Sequence, residues 1–244
     1  MINHEQRFYI VTGASRGLGF EIALKLLSQN ATVGINYRQD IGTMQSLIDM
    51  YPKTAIPLRF DVRNWDEIEQ EFARFVKCFG TIDGLVNNAG ILRSSLLTCA
   101  KIDDIKEVVD TNLLGVIYCS KCVLRTMIKR QSGVIVNIGS SEAQKPSPGN
   151  SIYSATKCAI EALTRSIALE IGSRNIRAVC VAPGPLQTDM LHSVGQNNLD
   201  NLLRRIPLGR IADPSELAGY VSYLLSDNAK YVSGCVHSFD GGLR

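Results

Sequence analysis

The chain has 244 residues, of which 45% are hydrophobic and 20% charged, and 26 Lys and Arg against 23 Asp and Glu give a formal charge of +3. This apolar share excludes disordered and fibrous architectures, and so small a charge carries no electrostatic footprint of nucleic-acid binding. No apolar run approaches the roughly 20 residues needed to span a bilayer, and the first residues lack the apolar core of a signal peptide. We therefore expect a cytoplasmic protein with no membrane or nucleic-acid partner.

Short apolar segments alternate with longer amphipathic ones along the chain. The predicted strands are Phe8–Thr12, Thr32–Tyr37, Ala55–Phe60, Gly84–Asn87, Val134–Ile138, Ile176–Ala182 and Cys235–Phe239. The predicted helices are Leu18–Leu27, Thr43–Met50, Trp65–Phe79, Asp104–Arg130, Ser154–Ile171 and Pro214–Leu225. Strands rich in Val and Ile that alternate with helices indicate a parallel sheet covered on both faces. With right-handed crossovers, this order predicts an α/β fold built on one doubly wound, Rossmann-type sheet of about seven strands.

No linker, repeat or low-complexity tract divides the chain, so residues 1–244 are predicted to form a single domain. The least patterned stretch, at about residues 184–210, follows the sixth predicted strand and is rich in Asn and Gln. Ligands of doubly wound sheets bind beyond the carboxyl ends of the strands, which is where this stretch begins. We expect it to form a lid over the substrate, and the alternative is a surface insertion without a function.

Seven cysteines are many for this length, but their number is odd and their spacing forms no disulfide framework. Cys119 and Cys122 form a C-x-x-C inside a predicted helix, without the strand-turn context of a redox motif or the second pair of a zinc site. We expect the cysteines to serve mostly as small core residues. The three histidines, His4, His192 and His237, are scattered along the chain, so no metal site is predicted.

The first predicted strand runs directly into Thr12-Gly13-Ala14-Ser15-Arg16-Gly17-Leu18-Gly19, after which a helix begins. Glycines at 13, 17 and 19 allow a tight turn and bring backbone N–H groups against a pyrophosphate at the helix N-terminus. A glycine cluster alone is common in turns, but a strand before it and a helix after it are the context of a dinucleotide site.

Tyr153 and Lys157 lie four residues apart in a predicted helix and therefore share one face of it. The lysine ammonium favours the phenolate form of the tyrosine, which can then act as an acid or base near neutral pH. Considered by itself, this pair is equally well explained as an exposed tyrosine and lysine without a function.

These motifs and several others follow the pattern of one protein family, in order. The matching elements are Thr12-Gly13-x-x-x-Gly17-x-Gly19, Asp61-Val62, Asn87-Asn88-Ala89-Gly90, Thr111-Asn112, Ser140, Tyr153-x-x-x-Lys157, and Pro183-Gly184 with Thr188. Over essentially its whole length, the chain resembles the short-chain dehydrogenase/reductase family. The resemblance implies an oxidoreductase that binds a nicotinamide cofactor on a single Rossmann domain.

The resemblance also implies catalytic roles for Asn112, Ser140, Tyr153 and Lys157. Tyr153 would donate a proton to a substrate carbonyl during reduction, and Ser140 would hydrogen-bond the same oxygen. Lys157 would favour ionisation of Tyr153 and hold the nicotinamide ribose, while Asn112 would position a water that links Lys157 to solvent. Two fixed donors suit the alkoxide charge that develops when a hydride reaches a carbonyl carbon.

The same resemblance assigns the contacts to the cofactor. The pyrophosphate loop would use Gly13, Ser15, Arg16, Gly17, Leu18 and Gly19. Asp61 and Val62 would contact the adenine, and Asn88, Ala89 and Gly90 would contact the adenosine ribose. Pro183, Gly184 and Thr188 would contact the nicotinamide carboxamide, with Tyr153 and Lys157 at the ribose beside it.

The residues at the end of the second predicted strand favour NADP over NAD. Tyr37 stands where members of the family that use NAD carry an Asp for the ribose 2′-hydroxyl, and Arg38 follows it. Arg16, in the glycine loop, is expected to lie close to the same point, and two arginines suit a 2′-phosphate. Asp40 weakens this prediction slightly, and the alternative is that Arg38 merely faces water.

Within the family, the resemblance is strongest to the 3-oxoacyl-(acyl-carrier-protein) reductases of bacterial fatty-acid synthesis, chiefly through the C-terminal segment. It implies NADPH-dependent reduction of a 3-oxoacyl thioester to the 3-hydroxyacyl product. The loop before Tyr153 departs from that group at Pro146, Pro148 and Asn150. A polyketide, a secondary metabolite or another small ketone is therefore the alternative substrate. A cofactor-binding scaffold without catalysis is the second alternative.

The resemblance also suggests partners. Lys129, Arg130 and Arg174 lie near the surface on which the family docks its acidic carrier protein, although Gln131 replaces a basic residue there. A solvated basic helix end explains Lys129 and Arg130 equally well. The family implies a homotetramer, or a homodimer, formed through the helices that hold Asn112 and Tyr153. Apolar residues available for such contacts, or for packing on the chain's own sheet, are Leu113, Ile117, Cys158, Ala162 and Ile167.

Overall fold

The computed structural model of the chain describes residues 6–39, 43–188 and 202–243. A sheet of seven strands in the order β3-β2-β1-β4-β5-β6-β7 forms its centre. The strands are β1 (Phe8–Val11), β2 (Thr32–Tyr37), β3 (Ala55–Arg59), β4 (Gly84–Asn87), β5 (Gly133–Ile138), β6 (Ile176–Pro183) and β7 (Val236–Phe239). Every neighbouring pair is parallel. The predicted doubly wound sheet is therefore confirmed.

Helices connect the strands and cover both faces of the sheet. They are α1 (Gly17–Ser28), α2 (Met44–Met50), α3 (Trp65–Phe79), α4 (Ile102–Val109), α5 (Gly115–Arg130), α6 (Ser151–Ile171) and α7 (Pro214–Leu225). A membrane-spanning helix is not found in the described ranges, because no helix there is both long and apolar enough.

Two helices illustrate how the sequence sets their ends. The Asn64 side chain accepts hydrogen bonds from the backbone N–H groups of Asp66 and Glu67 at the start of α3, and Gly80 ends this helix in the left-handed conformation at φ +81°. Asp213 and Glu216 form a reciprocal capping box at the start of α7. Both arrangements satisfy backbone groups that a helix end leaves without partners.

The helix predicted over Asp104–Arg130 is confirmed, but it is not α-helical throughout. The chain forms α4, then a π-helical turn over Asp110–Leu114, and then α5. Close packing accompanies this change, since a Cβ atom at Gly115 would lie 2.9 Å from Val62 Cγ2. A π-helical turn inside an α-helix often marks a functional site, and this one carries Asn112.

Apolar side chains pack in two separate cores, one on each face of the sheet. Successive residues of β1 illustrate the division, because Ile10 belongs to one core and Val11 to the other. The core of Val11 includes buried side chains of α1 and α7, among them Ile22 and Leu217. The core of Ile10 includes side chains of α3, α5 and α6. The sheet is thus fixed from both sides, which holds the carboxyl ends of its strands in register.

Of the seven cysteines, three are buried, three are exposed and Cys235 is half-buried. Cys119, Cys122 and Cys180 are buried, as predicted, and burial raises the pKa of the Cys122 thiol to about 11 and that of Cys180 to about 12. The prediction fails for three others, which are exposed, namely Cys78, Cys99 and Cys158. The buried thiols are protonated at neutral pH and serve as small core side chains.

Candidate active site

The carboxyl ends of β1, β4, β5 and β6 meet at one edge of the sheet. Strand order reverses between β1 and β4, and the segments that follow these two strands leave a crevice at this point. All the predicted site residues in the described ranges follow a strand or lie on a helix that borders this edge.

The glycine loop after β1 is packed too tightly for any other residue at two of its positions. Gly13 has φ +61°, and a Cβ atom there would lie 2.8 Å from Ala89 Cα. A Cβ atom at Gly19 would lie 2.3 Å from the carbonyl oxygen of Gly13. The two glycines therefore let the loop turn tightly against the segment after β4 and lead directly into α1, whose N-terminus is the end of a helix that attracts a phosphate.

The loops after β1 and β4 are joined by a set of hydrogen bonds. Thr12 Oγ1 accepts from the backbone N–H groups of Asn88 and Ala89, each at 3.0 Å. The Asn88 side-chain nitrogen donates to the carbonyl oxygens of Thr12 and Gly13, also at 3.0 Å. The Asn88 amide therefore holds the glycine loop in place, a role that the sequence did not predict.

Asn36 is a site residue that the sequence analysis missed. Its Oδ1 accepts from the Gly13 N–H at 2.9 Å, and its Nδ2 donates to the Phe60 carbonyl at 2.9 Å. Asn36 is 3% exposed within β2. A buried amide must find hydrogen-bond partners, so an Asn inside an otherwise apolar strand was the available signal.

Asn112 lies fully buried in the π-helical turn and faces the segment after β4. Its Oδ1 accepts from the Ile91 N–H at 2.8 Å, and its Nδ2 donates to the Ile91 carbonyl at 2.9 Å. Nδ2 also approaches Thr156 Oγ1 on α6 at 3.4 Å. Gly90 borders the same space, since a Cβ atom there would lie 3.4 Å from Asn112 Oδ1 and 3.7 Å from Lys157 Nζ.

Tyr153 and Lys157 are brought together on the first turns of α6, as their spacing predicts. Lys157 Nζ lies 5.5 Å from the centre of the Tyr153 ring. The ammonium is almost fully buried, with 4% of the residue exposed, and it donates to the Ile138 carbonyl at 2.8 Å. A cation held this deeply interacts strongly with any negative charge that forms beside it, because the surrounding dielectric constant is low.

Ser140 follows β5 at the same edge of the sheet. It begins a short 3-10 turn, and its Oγ accepts from the backbone N–H of Glu142 at 3.1 Å. This bond uses a lone pair of the hydroxyl oxygen, so the hydroxyl hydrogen remains available to a substrate oxygen.

Pro183 and Gly184 stand at the carboxyl end of β6. Gly184 packs against the segment after β7, where a Cβ atom would lie 2.9 Å from Asp240 Cα. Thr188 lies beside the glycine loop, since a Cβ atom on Gly17 would come within 3.7 Å of Thr188 Cγ2. Residues 189–201 of the predicted lid lie outside the described residues.

Charged side chains cluster beyond the ends of β2 and β3, at the same edge of the sheet. Arg63 binds Asp61 through two nitrogens, with Nε 3.0 Å from Oδ1 and Nη2 2.6 Å from Oδ2. Arg38 Nη1 lies 3.9 Å from Asp61 Oδ2. These groups, with Arg59, line an open cleft of about 590 Å³. Arg59 and Arg63 were not among the predicted site residues, although Arg63 directly follows Asp61-Val62 in the sequence.

Burial and the two arginines act on Asp61 in opposite directions. Partial burial raises the pKa of the Asp61 carboxyl, but the hydrogen bonds and charge of Arg63, with the charge of Arg38, outweigh it. The pKa therefore lies below its ordinary value, and the carboxylate is ionised at neutral pH.

The other predicted cofactor residues differ in how far their side chains are buried. Arg16 is exposed at the start of α1, whereas Tyr37 and Leu18 are half-buried and pack against the core of Val11. Val62 is buried beneath Gly115, so its side chain belongs to a core. The Ser15 carbonyl accepts from Thr43 Oγ1 at 2.8 Å. Asp40 lies outside the described residues.

Comparison with known proteins identifies the family to which the chain belongs. Residues 13–244 match the family model described as enoyl-(acyl carrier protein) reductase. The chain is 40% identical over 240 residues to the 3-oxoacyl-[acyl-carrier-protein] reductase FabG of Chlamydia muridarum, covering 96% of each chain. It is 38% identical over 238 residues to the 3-oxoacyl-[acyl-carrier-protein] reductase of Synechocystis, covering 96% of this chain and 95% of the relative. The chain belongs to the short-chain dehydrogenase/reductase family.

A solved structure supports the same assignment. It comes from a candidate gluconate dehydrogenase of Agrobacterium tumefaciens, with a TM-score of 0.92 and 32% identity, and the match covers 97% of this chain and 95% of that one. As a short-chain dehydrogenase/reductase, the protein is an oxidoreductase that uses a nicotinamide cofactor. Its residues fit that cofactor, because Gly13 and Gly19 allow the tight turn that leads from β1 directly into the N-terminus of α1, the end of a helix that binds phosphate.

Proposed function

We propose that this protein reduces the keto group of a 3-oxoacyl thioester, carried by acyl carrier protein, to the 3-hydroxyacyl product with NADPH. The observation that carries the proposal is the buried Lys157 ammonium beside Tyr153, at the sheet edge where Ser140 also lies. The relatives named as 3-oxoacyl reductases support this substrate class.

In this proposal, the chain's own residues handle the oxygen and the proton. A nicotinamide held by the cofactor residues would supply the hydride for the carbonyl carbon. Tyr153 Oη donates its proton to the carbonyl oxygen, and Ser140 Oγ donates a hydrogen bond to the same atom. Lys157 stabilises the phenolate that Tyr153 becomes, and Asn112 holds the water through which a proton returns. Fixed donors of this kind stabilise the developing oxyanion without reorganisation.

Each part of the cofactor would be bound by a different group of the predicted residues. Ser15, Gly17, Leu18 and Gly19 would bind the pyrophosphate through the backbone at the start of α1, and Gly13, whose N–H is bound to Asn36, would shape the turn. Asp61 and Val62 would border the adenine, and Asn88, Ala89 and Gly90 the adenosine ribose. Pro183, Gly184 and Thr188 would border the carboxamide, while Tyr153 and Lys157 would bind the nicotinamide ribose.

NADP is the proposed form of the cofactor. Arg38 and Arg16 would bind the 2′-phosphate, with Tyr37 beside it. Arg59 and Arg63 line the same cleft as Arg38, together with the carboxylates Asp61, Glu67 and Glu107. Arg63 is paired with Asp61 through two hydrogen bonds, so the charge for a phosphate would come from Arg38 and Arg59.

Carrier-protein docking would rest on Lys129 and Arg174, which are both exposed. Arg130 contributes less than the sequence suggested, because it is bound to Asp83 and Thr81. The two remaining cations lie on neighbouring turns, since Asn175 Nδ2 donates to the Gln131 carbonyl at 3.3 Å. Their charge would attract the acidic surface of a carrier protein.

A homotetramer or homodimer through α5 and α6 is also proposed. Cys158 and Ala162 are exposed on α6 and are available for such a contact, with Leu113 and Ile117 partly exposed. Ile167 is not available, because it is buried in the core of Ile10. Light scattering on the purified protein measures the oligomeric state.

Residues 184–210 are proposed as the substrate lid of this single domain.

Turnover of an acetoacetyl thioester tests the proposed function. We expect NADPH oxidation with acetoacetyl–acyl carrier protein, and a fall in kcat of about 10²–10⁴-fold for Tyr153→Phe, because the general acid is lost. Tyr223→Phe, on the exposed part of α7, is the matched control and should leave kcat unchanged. Absence of turnover by the native chain, or full activity of Tyr153→Phe, would refute the proposal.

A substrate panel separates the alternatives. Small ketones and polyketide thioesters test the same chemistry on other substrates, and gluconate with NADP tests the activity named for the Agrobacterium structure. NADPH binding without turnover of any of them would instead favour a non-catalytic scaffold.

A further inference from the structure

Glu142 is the one acidic side chain in residues 141–150, the loop that connects Ser140 to the helix of Tyr153. Its carboxylate accepts three hydrogen bonds. Oε2 accepts from the Ser147 backbone N–H at 2.9 Å and from Ser154 Oγ at 3.4 Å, and Oε1 accepts from Ser147 Oγ at 2.7 Å. The carboxylate thus joins the far part of the loop to the first turn of α6, next to Tyr153.

The backbone of Glu142 reaches the other catalytic hydroxyl. Its N–H donates to Ser140 Oγ at 3.1 Å, which fixes the direction of the Ser140 side chain. One residue therefore contacts Ser140 through its main chain and, through its side chain, Ser154, which is the neighbour of Tyr153.

Other contacts also hold the loop, and two of them reach α6 further along the helix. Gln144 Nε2 donates to Glu161 Oε1 at 3.4 Å, and Cys158 Sγ donates to the Ala143 carbonyl at 2.8 Å. The Ser95 N–H donates to the Gly149 carbonyl at 2.8 Å, and Ser94 Oγ donates to Asn150 Oδ1 at 2.8 Å. Lys145 is the only basic residue of the loop. Its Nζ lies 3.4 Å from Asp240 Oδ2 after β7, so it pairs with Asp240 and not with Glu142. The N-terminal end of α6 adds a favourable partial positive charge near the carboxylate.

We propose that Glu142 is a positioning residue of the reductase site. Its carboxylate clamps residues 141–150 onto the first turn of α6 and so keeps Ser140 Oγ and Tyr153 Oη aimed at one carbonyl oxygen. The inference rests on the proposed function, which assigns those two hydroxyls to the substrate. Loss of the clamp lets the two donors separate, and a displacement of about 1 Å can cost on the order of 10²-fold in rate.

Three substitutions distinguish the hydrogen bonds from the charge. Glu142→Gln keeps all three contacts, because the amide oxygen accepts from the Ser147 N–H and Ser154 while the amide nitrogen donates to the Ser147 hydroxyl. Glu142→Ala removes all three. Glu142→Asp keeps the charge but withdraws the acceptors by one methylene. Glu170→Ala, at the exposed far end of the same helix, is the matched control.

Steady-state kinetics with acetoacetyl–acyl carrier protein give the first readout. We expect Glu142→Ala to lower kcat by about 10–100-fold, Glu142→Asp to fall between it and the native chain, and Glu142→Gln to stay within about threefold. The Kd for NADPH, measured by fluorescence titration, should change less than twofold in all of them. A loss of folded structure would instead weaken NADPH binding as well, so the two readouts separate positioning from damage to the fold.

Hydrogen exchange of peptides covering residues 141–150 gives a readout that needs no substrate. We expect faster exchange in Glu142→Ala and native rates in Glu142→Gln and Glu170→Ala. Unchanged exchange and kcat in Glu142→Ala, or a Glu142→Gln variant as slow as Glu142→Ala, would overturn the inference. If the native chain does not turn over the thioester, the proposed function fails while the exchange data still decide the role of Glu142.

Discussion

Lys157 shows how one residue connects the fold to the proposed chemistry. Taking an ammonium out of water is costly in free energy, yet the residue is only 4% exposed and its Nζ binds the Ile138 carbonyl at the end of β5. The second partner is the Tyr153 ring on the same helix face. The buried cation therefore lies beside the Tyr153 ring, where the proposed function requires positive charge.

Arg38 should decide between the two forms of the cofactor. We expect Arg38→Ala to raise the KM for NADPH by about 10–100-fold, because a hydrogen bond to a charged group contributes about 1.5–3 kcal/mol. The KM for NADH should stay within about twofold, since it has no 2′-phosphate. Initial rates with both cofactors measure this.

Arg125→Ala is the control for that substitution, because Arg125 lies on α5 against Trp65 and Glu69. It should change neither KM value. An equal rise for NADPH and NADH in Arg38→Ala would contradict the 2′-phosphate assignment.

At the scale of an element, the π-helical turn between α4 and α5 is what turns Asn112 toward the active site. Its five residues, Asp110–Leu114, interrupt two α-helices. Gly115 allows the following turn to lie directly against Val62, next to Asp61. In the proposed function, this one helical irregularity would shape both the catalytic side and the adenine side of the site.

Gly115→Ala tests this packing. The added methyl group would meet Val62 Cγ2 at 2.9 Å and the Val62 carbonyl oxygen at 3.2 Å. We expect the free energy of unfolding to fall by about 1–3 kcal/mol, as overpacking typically does, and kcat to fall as Asn112 shifts. Urea denaturation and steady-state kinetics measure the two effects.

Gly219→Ala is the matched control, since an added methyl group on α7 would meet no atom within 4 Å. It should raise the stability by about 0.5–1 kcal/mol through the better helix propensity of Ala. If Gly115→Ala proved as harmless as this control, the close contact with Val62 would not constrain the π-helical turn.

Across the whole molecule, the cofactor would bridge segments that belong to both halves of the sheet. The glycine loop, Arg38 and Asp61 come from one half, whereas Ser140, Tyr153, Lys157 and Gly184 come from the other. Binding should therefore stabilise the domain as a unit.

Thermal unfolding measures this stabilisation. NADPH at 100 times its Kd should contribute about 2.7 kcal/mol and raise the Tm by about 5–10 °C. NADH at the same concentration should raise it less, because it lacks the 2′-phosphate. Equal shifts for both cofactors would contradict the preference for NADPH.

The fold was predictable from the sequence because each strand and helix carries its own local pattern, as the apolar run Thr32–Tyr37 does. The spacing of Tyr153 and Lys157 likewise fixed their shared helix face. The pairing of Arg63 with Asp61 and the bonds of Asn36 to Gly13 and Phe60 were not predictable, since they depend on the approach of distant segments. The π-helical turn also escaped prediction, because its apolar pattern resembles that of a continuous helix.

The bonds between Thr12 and Asn88 join two segments that lie 76 residues apart in the chain. The side chain of each segment binds backbone groups of the other, so the conformation of each segment depends on the other. A loop exchanged into this chain must therefore keep a hydroxyl at position 12, which accepts from the backbone N–H groups of Asn88 and Ala89. It must also keep the backbone path of residues 12 and 13, whose carbonyls accept from the Asn88 amide, so the two segments constrain each other in any redesign.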